Sequence, residues 1–220
     1  MIITAHAACR GHAPENTLAG VRAALDLGAD AIEVDVRCTR DGVPVLLHDA
    51  TVDRTTDGEG EIASLTLRQT RRLDAGAGER IPTLRDVLAE VSGRALLVLE
   101  VKPAGIDAAV LAVVRTATAV DSCAVHSFLP PVIERFRRLE PRMPASLLTS
   151  GRDVVDWGQL FGFALSLGAQ GVAVHHGAVT PELVRAAHLR ELRWSTWTVN
   201  ARTDVRRVAA AGVDAITTDY

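Results

Sequence analysis

An α/β protein folded as a small (β/α)8 barrel is what this sequence predicts. Short apolar runs alternate with longer amphipathic stretches along almost the whole chain, and strand followed by helix repeats as parallel βαβ units do. Roughly eight such units fit in the 220 residues, the number that closes a barrel. No glycine-rich dinucleotide or phosphate loop follows any strand, which argues against an open doubly wound sheet.

Taken in order, the first strand is Ile2–Ala5, followed by a helical stretch over 17–27 that Gly28 stops. Ala31–Val36 and Val43–Leu47 are runs of strand length. Residues 49–81, long and rich in Gly, Thr, Asp and Arg, read as a small insertion over one end of the barrel, where functional loops gather. A helix is expected over 83–91, then the strand Ala95–Val101, a helix over 107–119 and the strand Cys123–His126. Helices over 130–139, 153–167, 181–189 and 203–210 then alternate with strands Ala145–Leu148, Gly171–Val174, Leu192–Trp197 and Ala215–Thr218. Pro130-Pro131 and Pro181 sit where a first helical turn accepts proline, and Gly212 follows a helix as a stop does. A complete barrel would add a closing helix after the last strand, and none is encoded. The reading is one barrel domain over 1–220 with 49–81 inserted.

Composition narrows the classes of function. A chain 48% hydrophobic with a formal charge of -3 can bury a core, so disorder is excluded. The longest clean apolar run, Ala95 to Leu99, is far too short for a membrane span. The few residues before His6 leave no room for a signal peptide. With 24 basic against 27 acidic residues and no long basic run, a nucleic-acid partner is not expected. Cys9, Cys38 and Cys123 are odd in number and lack metal-type spacing, which suits free, mostly buried thiols in a reduced cytoplasm.

Alternate side chains of a barrel strand point into the barrel and out toward the helices. In Ile32-Glu33-Val34-Asp35-Val36 the apolar residues share one face and the carboxylates the other. Glu33 and Asp35 then point inward near the strand's C-terminal end, an arrangement that like charges disfavour without a cation. Glu100 and Lys102 share a face in the same way. Three inward carboxylates from two strands suit a hard divalent cation, magnesium or calcium; the plainer readings are a solvated edge strand or a Glu100–Lys102 ion pair. Lys102 is also the single lysine in a chain whose other 23 cations are arginine, and a compact ammonium suits some sites better than a planar guanidinium. His6 closes the first strand and His48 closes Val43–Leu47. C-terminal strand ends in this architecture carry catalytic groups, and histidine is the usual acid or base near neutral pH. His12, His126, His188 and the His175-His176 pair are read as satisfied core or loop residues.

Many pieces of the chain match one family in order. They are Ala13-Pro14-Glu15-Asn16-Thr17-Leu18-Ala19, the stretch from Gly28 to Val36, Thr39-Arg40-Asp41-Gly42-Val43-Pro44-Val45, and His48-Asp49 followed by Asp53-Arg54-Thr55-Thr56-Asp57-Gly58. Ile81-Pro82-Thr83-Leu84, Leu99-Glu100-Val101-Lys102, Ser127-Phe128, Trp197-Thr198-Val199-Asn200 and the stretch from Gly212 to Tyr220 complete the set. From Ile2 to Tyr220 the chain resembles the glycerophosphodiester phosphodiesterase family. The resemblance implies a (β/α)8 barrel with a small insertion after the His-Asp strand. It implies a divalent metal held by Glu33, Asp35 and Glu100, catalytic histidines at His6 and His48, and a site lysine at Lys102, with Trp197 beside it as a substrate-binding residue. In that family a hydroxyl of the substrate's glycerol attacks phosphorus, the alcohol leaves, and water opens the cyclic phosphate. The metal and Lys102 would neutralise phosphoryl charge, while the two histidines move the protons.

The resemblance breaks at one place. The family begins with His-Arg-Gly, and here the triplet is His6-Ala7-Ala8. The missing guanidinium removes a phosphate contact worth about 1.5–3 kcal/mol. Three readings follow: Arg10, in a loop freed by Gly11, restores the cation and binds substrate; the substrate differs; or the chain is a weak or non-catalytic phosphodiester binder. The expected function is metal-dependent hydrolysis of a glycerophosphodiester or related small phosphodiester, the alternative being a lyase that stops at the cyclic phosphate. Glycoside hydrolysis is disfavoured, because Glu33 and Asp35 adjoin on one strand rather than flank a bond.

Overall fold

The structure, a computed structural model, describes residues 1–220. Strands β1 (Ile2–Ala5) and β2 (Ala31–Cys38) are parallel neighbours, and β3 (Pro44–Leu46) turns back antiparallel on the far end of β2. The wall continues through β4 (Leu96–Val101), β5 (Cys123–Ser127), β6 (Ala145–Thr149), β7 (Gly171–His175), β8 (Arg193–Trp197) and β9 (Ala215–Thr218), and β9 pairs with β1 to close it. Eight parallel strands therefore form the barrel, as expected, and the ninth lies outside it.

That ninth strand is the Val43–Leu47 run, for which the sequence indicates strand length but no direction. It is a hairpin partner of β2, with Val36 opposite Leu46 and Cys38 opposite Pro44. A short apolar run carries no information on strand direction, whereas the Asp41-Gly42 pair before it, with Gly42 at φ +74°, is a tight-turn signal.

Helices α1 (Leu18–Asp26), the short α2 (Leu67–Thr70) within 49–81, α3 (Leu84–Val91), α4 (Asp107–Thr116), α5 (Pro130–Leu139), α6 (Trp157–Ser166), α7 (Pro181–His188) and α8 (Arg202–Ala210) follow. Starts are capped: the Thr17 hydroxyl accepts from the Gly20 amide, Thr83 and Asp86 form a capping box, and Thr180 precedes Pro181 at a first turn. None of these helices is long and apolar enough to cross a membrane.

The main core lies between wall and helices. Ile32, Val34 and Val36 are fully buried there, as are Phe136 of α5 and Trp194 of β8, the latter packed on Trp157 and Phe161. Phe136→Ala should cost about 3–5 kcal/mol, read as a lower denaturant midpoint with an unchanged slope. A separate small cluster of Val45, Leu47, Val52, Ile62, Ala75 and Ile81 holds the 49–81 segment against β3. Cys9 and Cys123 are buried, Cys38 is half-buried, and all three are free. Burial pushes the Cys38 thiol up to about 11 and the Cys123 thiol up to about 12.

Candidate active site

Because Ile32, Val34 and Val36 are committed to the helices, Glu33 and Asp35 face into the barrel, and the register of β2 with β4 sets Asp35 opposite Glu100. One ligand-capable atom from each of Glu33, Asp35 and Glu100 lies within 4.8 Å of the others. Glu33 and Asp35 are 5% and 1% exposed. The cluster is held by named donors. The Ala7 amide donates to Glu33 Oε2 at 2.8 Å, Asn16 Nδ2 donates to Asp35 Oδ2 at 2.7 Å, and Lys102 Nζ reaches Asp35 Oδ1 at 2.8 Å and also Glu100 Oε1. The Glu100–Lys102 ion pair and the carboxylate cluster are thus both present.

Glu33 Oε1 has no partner although it is fully buried. Burial, with the charges of Asp35 and Glu100 added, holds the Glu33 carboxyl well above its usual range. Burial also raises Glu100, against the pull of Lys102. For Lys102, burial acts to lower the ammonium, but the Asp35 and Glu100 carboxylates outweigh it and raise its pKa. An orphaned buried carboxylate oxygen inside a set of hard oxygen donors is what a divalent cation would complete. The residues present fit such an ion.

His6, Arg10, His48, Lys102 and Trp197 line one cavity of about 260 Å³ together with Glu33 and Glu100. His6 reaches it from the end of β1. His48 reaches it because β3 runs back toward the mouth, where the Leu47 amide donates to the Asp35 carbonyl. Each ring is held at Nδ1 by a carboxylate, Asp219 for His6 and Asp49 for His48, both at 2.7 Å. Arg54 clamps Asp49 and also binds Glu15 through two nitrogens, and with His48 it keeps Asp49 below the usual carboxylate range. Trp197 packs edge-on against Phe128, and its indole nitrogen donates to the Ala173 carbonyl.

The His6-Ala7-Ala8 departure has a structural form. Ala7, Ala8 and Cys9 all lie in the left-handed region, at φ 44°, 54° and 65°. A left-handed alanine costs roughly 1–2 kcal/mol, and this turn is what aims the Ala7 amide at Glu33. The turn is pressed on α1, where a Cβ on Gly20 would meet the Ala8 carbonyl at 1.9 Å. Gly11 also differs from expectation. Its φ is not left-handed, and it is glycine because a Cβ would lie 2.3 Å from the Asp219 carbonyl, which its own amide binds at 3.0 Å. The loop is clamped, not freed.

Several residues in and around the site escape sequence reasoning. Asn16 receives the Asp35 amide on Oδ1 while donating to its carboxylate. His126, which reads from the sequence as a satisfied core or loop residue, lines the cavity, and burial pushes it down to about 4, so it is neutral near pH 7. Its parity on β5, opposite Glu100, was the available signal. Asp219 binds His6, Arg10 and Asn200; burial acts to raise it, but those three donors hold it far below the usual range. Phe128 and Thr217 complete the aromatic and polar sides.

Comparison with known proteins places the chain in one family. The model of the glycerophosphoryl diester phosphodiesterase family matches residues 6–220. A glycerophosphodiester phosphodiesterase of Caldanaerobacter subterraneus is 34% identical, with 99% of this chain and 93% of that one aligned. Among solved structures, a phosphodiesterase of Oleispira antarctica in complex with the product sn-glycerol-3-phosphate superposes with a TM-score of 0.93 at 28% identity, covering 100% of this chain and 93% of that one. A glycerophosphodiester phosphodiesterase of Agrobacterium tumefaciens gives 0.88 at 27% identity, covering 100% and 96%.

Proposed function

The chain belongs to the glycerophosphoryl diester phosphodiesterase family and is a phosphoric diester hydrolase, and on that footing we propose how its own residues carry the reaction and where it departs from its relatives. The observation that carries the reading is the convergence of three carboxylates, with Glu33 Oε1 unpartnered, in a cavity that His6, His48 and Lys102 also line. Glu33, Asp35 and Glu100 hold a divalent cation, magnesium or calcium, which when bound supplies positive charge to the phosphoryl oxygens. Lys102 adds an ammonium to the same side of the cavity. His6 and His48, each with Nδ1 occupied, offer Nε2 to move protons between the attacking and leaving oxygens. Trp197 gives an apolar wall for the carbon part of the substrate, a glycerophosphodiester or related small diester. Three free thiols accord with a cytoplasmic setting.

Arg10 takes the place of the cation missing at Ala7. Its Nε and Nη2 are bound to Asp219 at 2.7 and 3.2 Å, while Nη1 has no protein partner and the side chain lines the cavity. Arg10→Ala should raise KM for a glycerophosphodiester by at least about tenfold, the value of one charge-assisted contact, and Ala7→Arg should change it only modestly. A many-fold gain from Ala7→Arg with no effect of Arg10→Ala would instead mark a site shaped for another substrate.

Phosphorus NMR of a glycerophosphodiester incubated with enzyme and either magnesium or calcium tests the reaction itself. A phosphomonoester that forms with metal and fails to form when chelator is present from the start supports metal-dependent hydrolysis. Accumulated cyclic phosphate identifies a lyase, and unchanged substrate identifies a binder.

A further inference from the structure

Behind the cavity, one buried carboxylate is tied to two of its wall residues. Asp219 does not line the cavity; it sits directly after β9, 10% exposed. Its Oδ1 receives His6 Nδ1 and Arg10 Nε, both at 2.7 Å, and its Oδ2 receives Asn200 Nδ2 at 2.7 Å and Arg10 Nη2 at 3.2 Å. The carboxylate is itself fixed from behind, since the Asp219 amide donates to Asn200 Oδ1 at 2.9 Å.

We infer that Asp219 is a positioning residue that sets His6 and Arg10 together: it fixes the His6 tautomer with the proton on Nδ1, and it holds the Arg10 fork so that Nη1 faces substrate. The inference rests on the roles proposed above for those two residues. An ionised carboxylate has no proton to donate, so His6 Nδ1 must be the donor in their contact, and Nε2 is left with its lone pair for the cavity. The same oxygen pair uses up two sides of the guanidinium fork and leaves the third free. Asn200 completes the acceptor count of Oδ2, so the carboxylate cannot rotate away without losing a donor on each oxygen. The structure joins this network to the departure at Ala7, because the cation that stands in for the family arginine is the one Asp219 anchors.

The test is nitrogen NMR of the histidine rings, joined to kinetics. In the wild-type protein without substrate, His6 is expected as the Nδ1–H tautomer when neutral; an Nε2–H ring would overturn the inference. In Asp219→Asn the carboxamide cannot accept from all three partners, so His6 should shift toward the other tautomer, kcat should fall at least about tenfold, and KM should rise severalfold. In the Arg10→Ala background, Asp219→Asn should still lower kcat but raise KM no further, because the anchored cation is already gone. Wild-type kcat in Asp219→Asn, or fully additive KM effects, would reject the shared anchor. The ring measurement on the unaltered protein needs neither a variant nor turnover. It therefore separates a failure of this inference from a failure of the hydrolysis reading, which would leave the His6 tautomer as stated but show no product.

Discussion

Glu33→Ala is expected to abolish metal-dependent turnover while the barrel stays folded. The two halves of that statement have separate causes. Glu33 supplies the one buried, unpartnered oxygen of the carboxylate cluster, so removing it would take away a ligand of the proposed cation, and cation affinity should drop beyond detection by calorimetric titration. Turnover should fall by at least about 100-fold, because the charge the cation supplies to the phosphoryl group is worth several kcal/mol. Stability should hold or rise in the absence of metal, since the substitution removes a buried carboxylate crowded by Asp35 and Glu100. Glu33→Gln keeps an acceptor for the Ala7 amide and serves as the shape control. If Glu33→Ala hydrolyses diesters at the wild-type rate in the presence of metal, the carboxylate cluster has no part in the reaction.

His6→Ala and His48→Ala should each cost at least roughly 100-fold in turnover, the usual value of a positioned acid or base. Their effects on stability should differ. His48 is 48% exposed and its loss should leave the melting temperature almost unmoved, whereas His6, 18% exposed and bound to buried Asp219, should lower it measurably. Single-turnover rates with a diester bearing a good leaving group would sort the two, because the residue that protonates the departing oxygen matters least when that oxygen needs no proton. Undiminished turnover by His6→Ala would remove it from the proposed pair.

The barrel was legible from the alternation of strand and helix, and the common face of its carboxylates from parity. The pattern Ile32-Glu33-Val34-Asp35-Val36 allows only one face to meet the helices, and burial of the apolar face turns both acids inward wherever the strand sits in the wall. Glu100 followed from the same rule. What parity cannot convey is direction and distance along the chain. The β3 run shows its strand length but not its antiparallel return, because hydrophobicity is blind to whether a strand runs up or down. Asp219 went unread because its partners His6 and Arg10 lie at the other end of the sequence, joined only when β9 meets β1. The left-handed turn at Ala7, Ala8 and Cys9 is hidden for another reason: without glycine, no local signal marks a positive φ. Gly11 showed the converse, a glycine kept for closeness of approach.

The antiparallel return of β3 gives the two histidines unequal mechanical footing. His6 ends a stave gripped by neighbours on both sides, so displacing it means prising apart a closed cylinder. His48 instead follows a hairpin strand paired on one side to β2 over three residue pairs, and it is held by the isolated bridge from Val45 to Thr83, a small apolar patch and the Arg37 guanidinium on its own carbonyl. One of these ties reaches the carboxylate strand directly, since the Leu47 amide donates to the Asp35 carbonyl. The cavity thus has one side built into the closed cylinder and one side carried by a hairpin, and the two proposed acid–base groups stand one on each.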